Sequence, residues 1–218
     1  MKNILVTGAT GYVGKKVIQE LGNLNVNIFP ICRPGQETLF KEFANIKRVI
    51  SSLDLFQEDE NWWEEQCKDI DIIIHVAWYM KPGHKQSPKN IDCLIGSLNL
   101  AKGAAKAGIK RFIGVGTYFE YDLSMGTLSI NTPLKPSTHY GAAKAALYIF
   151  LSEWLPERSI EFSWCRLFSL YGEGGDERML DAYIHKQLKN GEIAKLTDGK
   201  QVRDFLHVIE AGRIMAGI

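Results

Sequence analysis

The stretch VTGATGYVG constrains the fold of this 218-residue chain more than any other segment. An apolar, β-branched run at residues 3–7 leads into it, and a helical pattern at residues 11–22 follows. Gly8 permits a tight turn, Gly11 lets a ligand approach the backbone, and Gly14 permits close packing of the helix on the strand. The free N–H groups at the start of the helix attract anions. This context predicts a dinucleotide pyrophosphate site, although the spacing is GxxGxxG rather than GxGxxG.

Strand and helix patterns alternate along most of the chain. The predicted strands lie at residues 3–7, 26–32, 47–51, 69–77, 111–117 and 160–168. The predicted helices lie at residues 11–22, near 36–45, near 58–67, at about 90–107, and in the stretch of residues 137–148. Such alternation predicts a Rossmann-like, doubly wound parallel α/β sheet covered by helices on both faces.

Proline marks three irregular places in this pattern. Pro30 interrupts the second strand, where it lacks an N–H group for the ladder, so we expect a bulge or an early strand end. Two proline-bearing stretches, residues 79–89 and 122–138, are predicted to be long loops at the same edge of the sheet. Long loops in compact domains are often functional.

The composition excludes several functional classes. A net charge of +1 offers no broad field for nucleic acid or an anionic membrane, and no apolar run is long enough to span a bilayer. The N-terminal residues enter a strand directly, unlike a signal peptide. The five histidines show no ligand spacing, so we expect no metal. The cysteines are scattered, which indicates reduced thiols in a cytoplasmic protein, at Cys32, Cys67, Cys93 and Cys165.

The end of the second predicted strand bears on the choice of dinucleotide. An acidic residue is expected there for a free ribose 2′-hydroxyl, but this chain has Cys32 followed by Arg33. A missing acid and an adjacent arginine favour NADP, with NAD as the alternative. Asp54 and Leu55, after the third strand, are placed to meet the adenine side, although an acidic surface loop explains Asp54 almost as well.

Tyr140 and Lys144 lie four residues apart in a predicted helix, which places them on one face. Alone, such a pair is usually a solvated surface feature. Together with the glycine turn and Thr117 at the end of the fifth strand, it resembles an extended short-chain dehydrogenase/reductase of the nucleotide-sugar epimerase/dehydratase group. Further family-like segments are HVAW, RLFSLYG and GKQVRDFLHV, at residues 75–78, 166–172 and 199–208.

The resemblance implies roles for individual residues. Tyr140 would exchange a proton with a sugar hydroxyl, Lys144 would favour the phenolate and hold the nicotinamide ribose, and Thr117 would hydrogen-bond the reacting oxygen. The implied cofactor-binding set is Gly8, Thr10, Gly11, Tyr12, Val13, Gly14, Arg33, Asp54, Leu55, Val76, Ala77, Tyr140 and Lys144. Tyr118 and Arg203 would contact the substrate, and a structural role is an even alternative for Arg203.

The implied activity is an NAD(P)-dependent nucleotide-sugar oxidoreductase, either a 4-ketoreductase or an epimerase. A 4,6-dehydratase and a non-catalytic dinucleotide-binding regulator are the alternatives. Dehydratases of this group follow the threonine with an Asp-Glu pair, whereas Tyr118 and Phe119 follow it here. Glu120 comes next, and in an extended segment it would project to the opposite side from Phe119.

The resemblance also implies a domain organisation and an assembly. Residues 1–168 would form the Rossmann domain, and residues 169–218 a partial, apparently truncated substrate lobe interleaved with it. The family commonly forms homodimers. Ser169 and Cys93 occupy positions where relatives carry asparagine, which puts local substrate or helix contacts in doubt.

Overall fold

A computed structural model describes residues 1–218 and contains a six-stranded sheet in the order β3-β2-β1-β4-β5-β6. All neighbouring strands in it are parallel. The strands are β1 Lys2–Thr7, β2 Val26–Cys32, β3 Ile50–Ser51, β4 Ile72–His75, β5 Arg111–Thr117 and β6 Glu161–Leu167. The strand order reverses between β1 and β4, where the carboxyl ends of parallel strands open a crevice. The predicted doubly wound fold is therefore confirmed.

Helices cover both faces of this sheet. The helices of the chain are α1 Tyr12–Gly22, α2 Glu60–Gln66, α3 Lys89–Ala107, α4 His139–Trp154, α5 Leu180–Lys189 and α6 Val208–Gly217, and all but α5 contribute to the two cores that flank this sheet. One apolar core joins the sheet to α2, α3 and α4, and includes Trp63, Leu100 and Leu147. The other joins the sheet to α1 and α6, and includes Val17 and Met215. The two cores fix the sheet from both sides.

A second, two-stranded parallel sheet follows β6. It pairs β7 Ser169–Tyr171 with β8 Phe205–His207, and α5 lies between these strands in the sequence. The chain then returns to the main sheet, because Ala211 and Met215 of α6 belong to the same core as α1. The last fifty residues are thus interwoven with the larger sheet.

The predicted helix near 36–45 is wrong. Only a 3₁₀ turn forms there, at Glu37–Phe40, and the segment that follows it runs beside β2. The Ile28 N–H donates to the Asn45 carbonyl at 2.9 Å, and the Asn45 side chain donates to the Leu21 carbonyl at 2.9 Å. These long-range bonds replace the bonds that a helix would form. The strand predicted at 47–51 is also shorter than expected, at Ile50–Ser51.

The expectation of an early strand end at Pro30 is wrong, because β2 continues to Cys32. The pairing on the β3 side shifts by one residue across Pro30, from Ile28 opposite Ile46 to Ile31 opposite Ile50, so the irregularity lies in the partner segment. Backbone groups of alternate residues face the same side of a strand. Ile28 faces the β3 side, where it bonds Asn45 and Lys47. Pro30 faces the same side, between that contact and the start of β3 at Ile50, so its missing N–H costs no ladder bond.

The two predicted loops flank the start of α4. Residues 79–89 contain a 3₁₀ turn at His84–Gln86, and residues 122–138 contain another at Leu123–Met125. The first loop is fixed to α4 by a 3.0 Å hydrogen bond between the His139 Nδ1 and the Gln86 carbonyl. No helix in the chain has both the length and the apolar character needed to cross a bilayer.

Candidate active site

The glycine turn brings α1 against the end of β1. Gly8 has a φ of +67°, and a Cβ there would lie 2.7 Å from the Ala77 N. A Cβ at Gly14 would lie 2.7 Å from the Gly8 carbonyl carbon, so only glycine allows this approach. Gly11 is the N-cap of α1 and offers no side-chain acceptor to the first-turn N–H groups. These groups remain free for an anion, which fits the pyrophosphate of a dinucleotide.

A cleft extends from this turn along the carboxyl ends of β1, β2 and β4. Seven of the predicted cofactor-binding residues line it: Gly8, Thr10, Gly11, Arg33, Asp54, Leu55 and Ala77. Val13 and Val76 instead pack against the α1 core. The cleft wall also includes residues that sequence reasoning did not select, namely Ser52, Phe56, Trp78, Tyr79, Lys89, Asp92 and Cys93.

Tyr12 connects the glycine turn to the loop after β7. Its hydroxyl donates to the Gly172 carbonyl at 3.2 Å, and the Gly172 N–H donates to Asp181 at 2.8 Å. Burial and the nearby Asp181 charge raise the pKa of Tyr12 to about 12. Tyr12 therefore stays protonated and acts as a hydrogen-bond donor between the two sheets.

Tyr140 lies in the first turn of α4, whose N-cap Thr138 accepts from the Gly141 N–H at 3.0 Å. Its side chain is buried among aromatic rings, with the His84 ring centroid 5.2 Å away and the Trp78 centroid 6.3 Å away. Burial raises the pKa of Tyr140, while the Thr117 hydroxyl acts in the opposite direction. The phenol is therefore protonated in the chain alone.

Lys144 is fully buried one turn further along α4. Its Nζ donates to the Val115 carbonyl at 2.6 Å and lies 3.8 Å from the centroid of the Trp78 ring. Burial lowers the pKa of Lys144 to about 7. Trp78 is itself held by Asn90, which accepts from the indole N–H at 2.8 Å. Lys144 and Tyr140 thus both lie against Trp78, and the Lys144 ammonium donates to the backbone of β5.

Thr117 ends β5 and caps the 3₁₀ turn Tyr118–Glu120. Its Oγ1 accepts from the Phe119 N–H at 3.3 Å, and its hydroxyl is also the hydrogen-bond partner that lowers the pKa of Tyr140. The segment after Thr117 is therefore not extended. The turn directs the Glu120 carboxylate into the interior, where it pairs with Arg166 at 2.6 Å.

The two predicted substrate residues lie together. Arg203 donates to the Tyr118 hydroxyl at 3.4 Å, and Arg203 is otherwise exposed. The Tyr118 ring stacks on Phe168, with the centroids 5.4 Å apart. Ser169, which replaces a family asparagine, begins β7, and its N–H donates to the Asp204 carbonyl at 3.1 Å.

Cys93, the other departure from the family pattern, is buried within α3, and burial raises the pKa of its thiol to about 11. Asn90, one helical turn earlier, is also buried. It accepts from Trp78 and donates to the carbonyls of His84 and Ser87 at 2.7 and 2.8 Å. Asn90 therefore fixes the loop of residues 79–89 over the site.

Sequence reasoning missed His84 and Lys85, which that loop places at the site. The His84 ring meets the edge of Tyr140, and the Lys85 Nζ lies 4.1 Å from the Phe119 ring centroid. The spacing of the five histidines does not distinguish His84 from the others. The length and proline content of the loop were the available indications.

A glycine turn at the point where a parallel sheet reverses its strand order defines a Rossmann-type dinucleotide-binding domain. The sequence matches the NAD dependent epimerase/dehydratase family over residues 4–217. The chain belongs to this family, as the sequence motifs predict.

Individual relatives agree with this assignment. The chain is 26% identical over 214 residues to a dTDP-6-deoxy-L-talose 4-dehydrogenase (NAD(+)) of Aggregatibacter actinomycetemcomitans, which covers 94% of this chain and 76% of that protein. The fold of the present chain is similar to that of a UDP-N-acetylglucosamine 4-epimerase from Methanobrevibacter ruminantium M1, with a TM-score of 0.83 and 24% identity. The match covers 99% of this chain and 73% of the epimerase chain. A UDP-glucuronic acid 4-epimerase from Bacillus cereus, solved with UDP-glucuronic acid and NAD, has a TM-score of 0.80, 22% identity, and coverage of 97% and 71%.

The buried amine of Lys144 yields a stability prediction. Its pKa is about 7 when folded, but an unfolded lysine titrates near 10.4, so between these values the unfolded chain binds more protons. The free energy of unfolding of the wild type should therefore rise with pH relative to that of Lys144→Met. We expect Lys144→Met to be the more stable form at pH 6.5, with the difference shrinking by about 2 kcal/mol by pH 8.5.

Urea unfolding at the two pH values measures this difference. The titrations of the cysteines largely cancel, because both proteins contain them. Lys41→Met, which removes an exposed lysine, should show no pH-dependent difference from the wild type. A constant difference for Lys144→Met would contradict the prediction.

Proposed function

We propose that the chain is an NADP-dependent oxidoreductase that reduces the 4-keto group of a nucleotide sugar or epimerises the sugar through one. The observation that carries this proposal is the convergence of Thr117, Tyr140 and Lys144 at the end of β5. A side-chain hydrogen bond with Thr117 lowers the pKa of Tyr140. The Lys144 ammonium donates to the carbonyl of Val115, which lies in β5 with Thr117. The relatives named as 4-dehydrogenase and 4-epimerases support nucleotide sugars as the substrate class.

The proposed chemistry divides between cofactor and protein. A bound nicotinamide dinucleotide supplies hydride exchange with the sugar carbon. Tyr140 gives or takes the proton on the sugar oxygen, and the Thr117 hydroxyl donates a hydrogen bond to that same oxygen. Because burial raises the pKa of Tyr140, it acts as a base only when positive charge is close by. Lys144 supplies one such charge while protonated, and it holds the ribose hydroxyls.

The residues after Thr117 favour reduction or epimerisation over elimination of water. Elimination across C5–C6 requires an additional acid and base beside the sugar. Tyr118 and Phe119 carry no carboxyl group, and the Glu120 carboxylate is committed to Arg166 in the interior. We therefore infer that this chain does not act as a 4,6-dehydratase.

Replacing Tyr140 by phenylalanine tests the mechanism. The change removes the proton donor and little volume, so kcat should fall by roughly 100-fold or more while cofactor affinity is retained. NADPH consumption in the presence of preformed 4-keto nucleotide sugars measures the effect. Tyr183→Phe, which alters a hydroxyl that accepts from Lys195, is the matched control.

Three results would contradict the proposal. Near-normal turnover by Tyr140→Phe would exclude the assigned proton donor. Formation of 4-keto-6-deoxy sugars from intact dTDP-, GDP-, CDP- or UDP-hexoses would indicate a dehydratase. Tight cofactor binding without turnover of any nucleotide sugar in the panel would favour the non-catalytic regulator.

Arg33 supports the choice of NADP. It is exposed, it lines the cleft at the end of β2, and the preceding residue is the uncharged Cys32. Guanidinium groups pair well with phosphate, and position 32 carries no carboxylate that would repel the 2′-phosphate of NADP. The nearby Glu37 carboxylate is engaged by the Ser51 hydroxyl at 2.6 Å. The related 4-dehydrogenase is named for NAD(+), and the Bacillus cereus epimerase was solved with NAD, so direct measurement decides between the two dinucleotides.

Arg33→Ala should remove most of the preference for NADPH over NADH. Loss of a charge-assisted hydrogen bond is expected to weaken NADPH binding by roughly 10- to 100-fold, with little change for NADH. Fluorescence titration with each dinucleotide measures this. Arg158→Ala, which removes an exposed arginine beside Trp154, should change neither affinity. Equal affinities in the wild type would rule out NADP specificity.

We place a domain boundary near residue 168. β6 ends at Leu167, and β7 begins the second sheet at Ser169. Residues 169–218 supply Arg203, which reaches Tyr118 beside the site. This part of the chain is therefore proposed to belong to a substrate lobe.

The cysteines support a cytoplasmic location. All four are unpaired, and three of them are buried. A reducing compartment keeps thiols in this state.

The outer faces of α3 and α4 support a homodimer. These helices are neighbours, and each exposes apolar side chains: Ile91 and Ile95 on α3, and Ile149 and Phe150 on α4. Each of these side chains is at least 50% exposed. A second copy of the same surface would bury them, since contiguous apolar patches on soluble proteins mark association sites.

Ile95→Glu combined with Phe150→Glu should convert a dimer to a monomer, because the added carboxylates would have to be desolvated at the interface. Size-exclusion chromatography with light scattering measures the mass. Ile130→Glu changes an exposed isoleucine in the loop of residues 122–138 and should leave the mass unchanged. A wild-type monomer at micromolar concentration would contradict the proposed dimer.

A further inference from the structure

A buried carboxylate lies directly behind the proposed catalytic threonine. Glu120 is inaccessible to solvent, and its Oε1 accepts from the Thr117 backbone N–H at 2.7 Å. The same side chain accepts from the indole N–H of Trp164 at 3.1 Å and from the Arg166 Nε at 2.6 Å. Three donors therefore satisfy this carboxylate, as a buried charge requires.

Arg166 is held in place as firmly as its partner. Its guanidinium lies 4.2 Å from the Tyr148 ring centroid and 4.8 Å from the Tyr121 centroid, and it also donates to the Tyr121 hydroxyl at 3.3 Å. Buried ion pairs contribute little net stability compared with apolar side chains of similar size. The position of this pair next to Thr117 suggests a role in the reaction instead.

The Glu120 member of the ion pair also interacts with the charge of the Lys144 ammonium. The titratable groups that face its ammonium are Cys93 from α3, His75 from β4, and Glu120 from the turn after β5. Burial raises the pKa of Cys93 and lowers that of His75, so both are neutral near pH 7. Glu120 is the negative charge among them, and the Trp164 ring contacts it on one side and faces Lys144 at 5.8 Å.

We propose that Glu120 is a positioning residue with two effects: it fixes the Thr117 hydroxyl through the backbone N–H, and its charge holds the proton on Lys144. This inference rests on the proposed roles of Thr117 and Lys144. The first effect depends on the length of the side chain, and the second depends on its charge. Two substitutions at position 120 therefore separate them.

Glu120→Gln retains the length and removes the charge, whereas Glu120→Asp retains the charge and withdraws it from the Thr117 N–H. We expect Glu120→Gln to lower the titration midpoint of Lys144 by about 1 pH unit, because the attraction to its proton is lost. Glu120→Asp should leave the midpoint close to the wild-type value. NMR of the full chain labelled with ¹⁵N at lysine Nζ measures the midpoint, and Lys144→Met assigns the resonance.

Kinetics on a 4-keto nucleotide sugar provide the second measurement. Glu120→Gln should shift the alkaline limb of the kcat profile to lower pH by the same amount as the NMR midpoint. Glu120→Asp should lower kcat by roughly 10- to 100-fold through misplacement of Thr117, with the limb unmoved. A purely structural ion pair would instead make the two variants lose activity together, with no difference in the Lys144 midpoint, and this result would overturn the proposal.

The NMR measurement requires no turnover, so it distinguishes failure of this inference from failure of the proposed function. An inactive wild type with the expected midpoints would contradict the function alone. If Glu120→Gln does not fold, the double variant Glu120→Gln/Arg166→Met removes the unpaired guanidinium and replaces it with an apolar side chain of similar length. Because this variant loses both charges of the ion pair, its Lys144 midpoint is compared with that of Arg166→Met alone, and equal midpoints in these two variants would also overturn the proposal.

Discussion

The close approach of α1 to β1 determines where everything else in the site can lie. Gly14 packs against the Gly8 carbonyl, and Gly8 packs against Ala77, so a side chain at Gly8 or Gly14 would push β1, β4 and α1 apart. This packing places the free N–H groups of α1 at the point where the strand order reverses. Since all six strands are parallel, the end of β5, with Thr117, opens onto the same edge.

The site contains a buried amine, Lys144, whose charged form is disfavoured by its removal from water. Lys144 is buried, and desolvation destabilises its ammonium. The Val115 carbonyl, the face of Trp78 and the more remote Glu120 carboxylate offset part of this cost. An apolar side chain at this position would avoid the desolvation cost, so the buried amine is retained at the expense of stability.

Local patterns in the sequence predicted the fold well, and contacts distant in the sequence account for the errors. The alternation of apolar runs and helical patterns correctly predicted the parallel sheet. The helix predicted at 36–45 was wrong because Asn45 forms hydrogen bonds to β2 and α1 instead. Thr117 and Glu120 have the spacing of a capping box, which could have predicted the inward turn of Glu120. No local pattern indicates that His84 meets Tyr140, because loop packing brings them together across more than fifty residues.

The hydrogen bond from Tyr12 to the Gly172 carbonyl joins the phosphate-binding turn to the second sheet. Asp181 of α5 binds the same glycine, so ordering at either end restricts the other. Any coupling that this connection transmits between a ligand at the glycine turn and a ligand at the second sheet is, by linkage, equal in both directions.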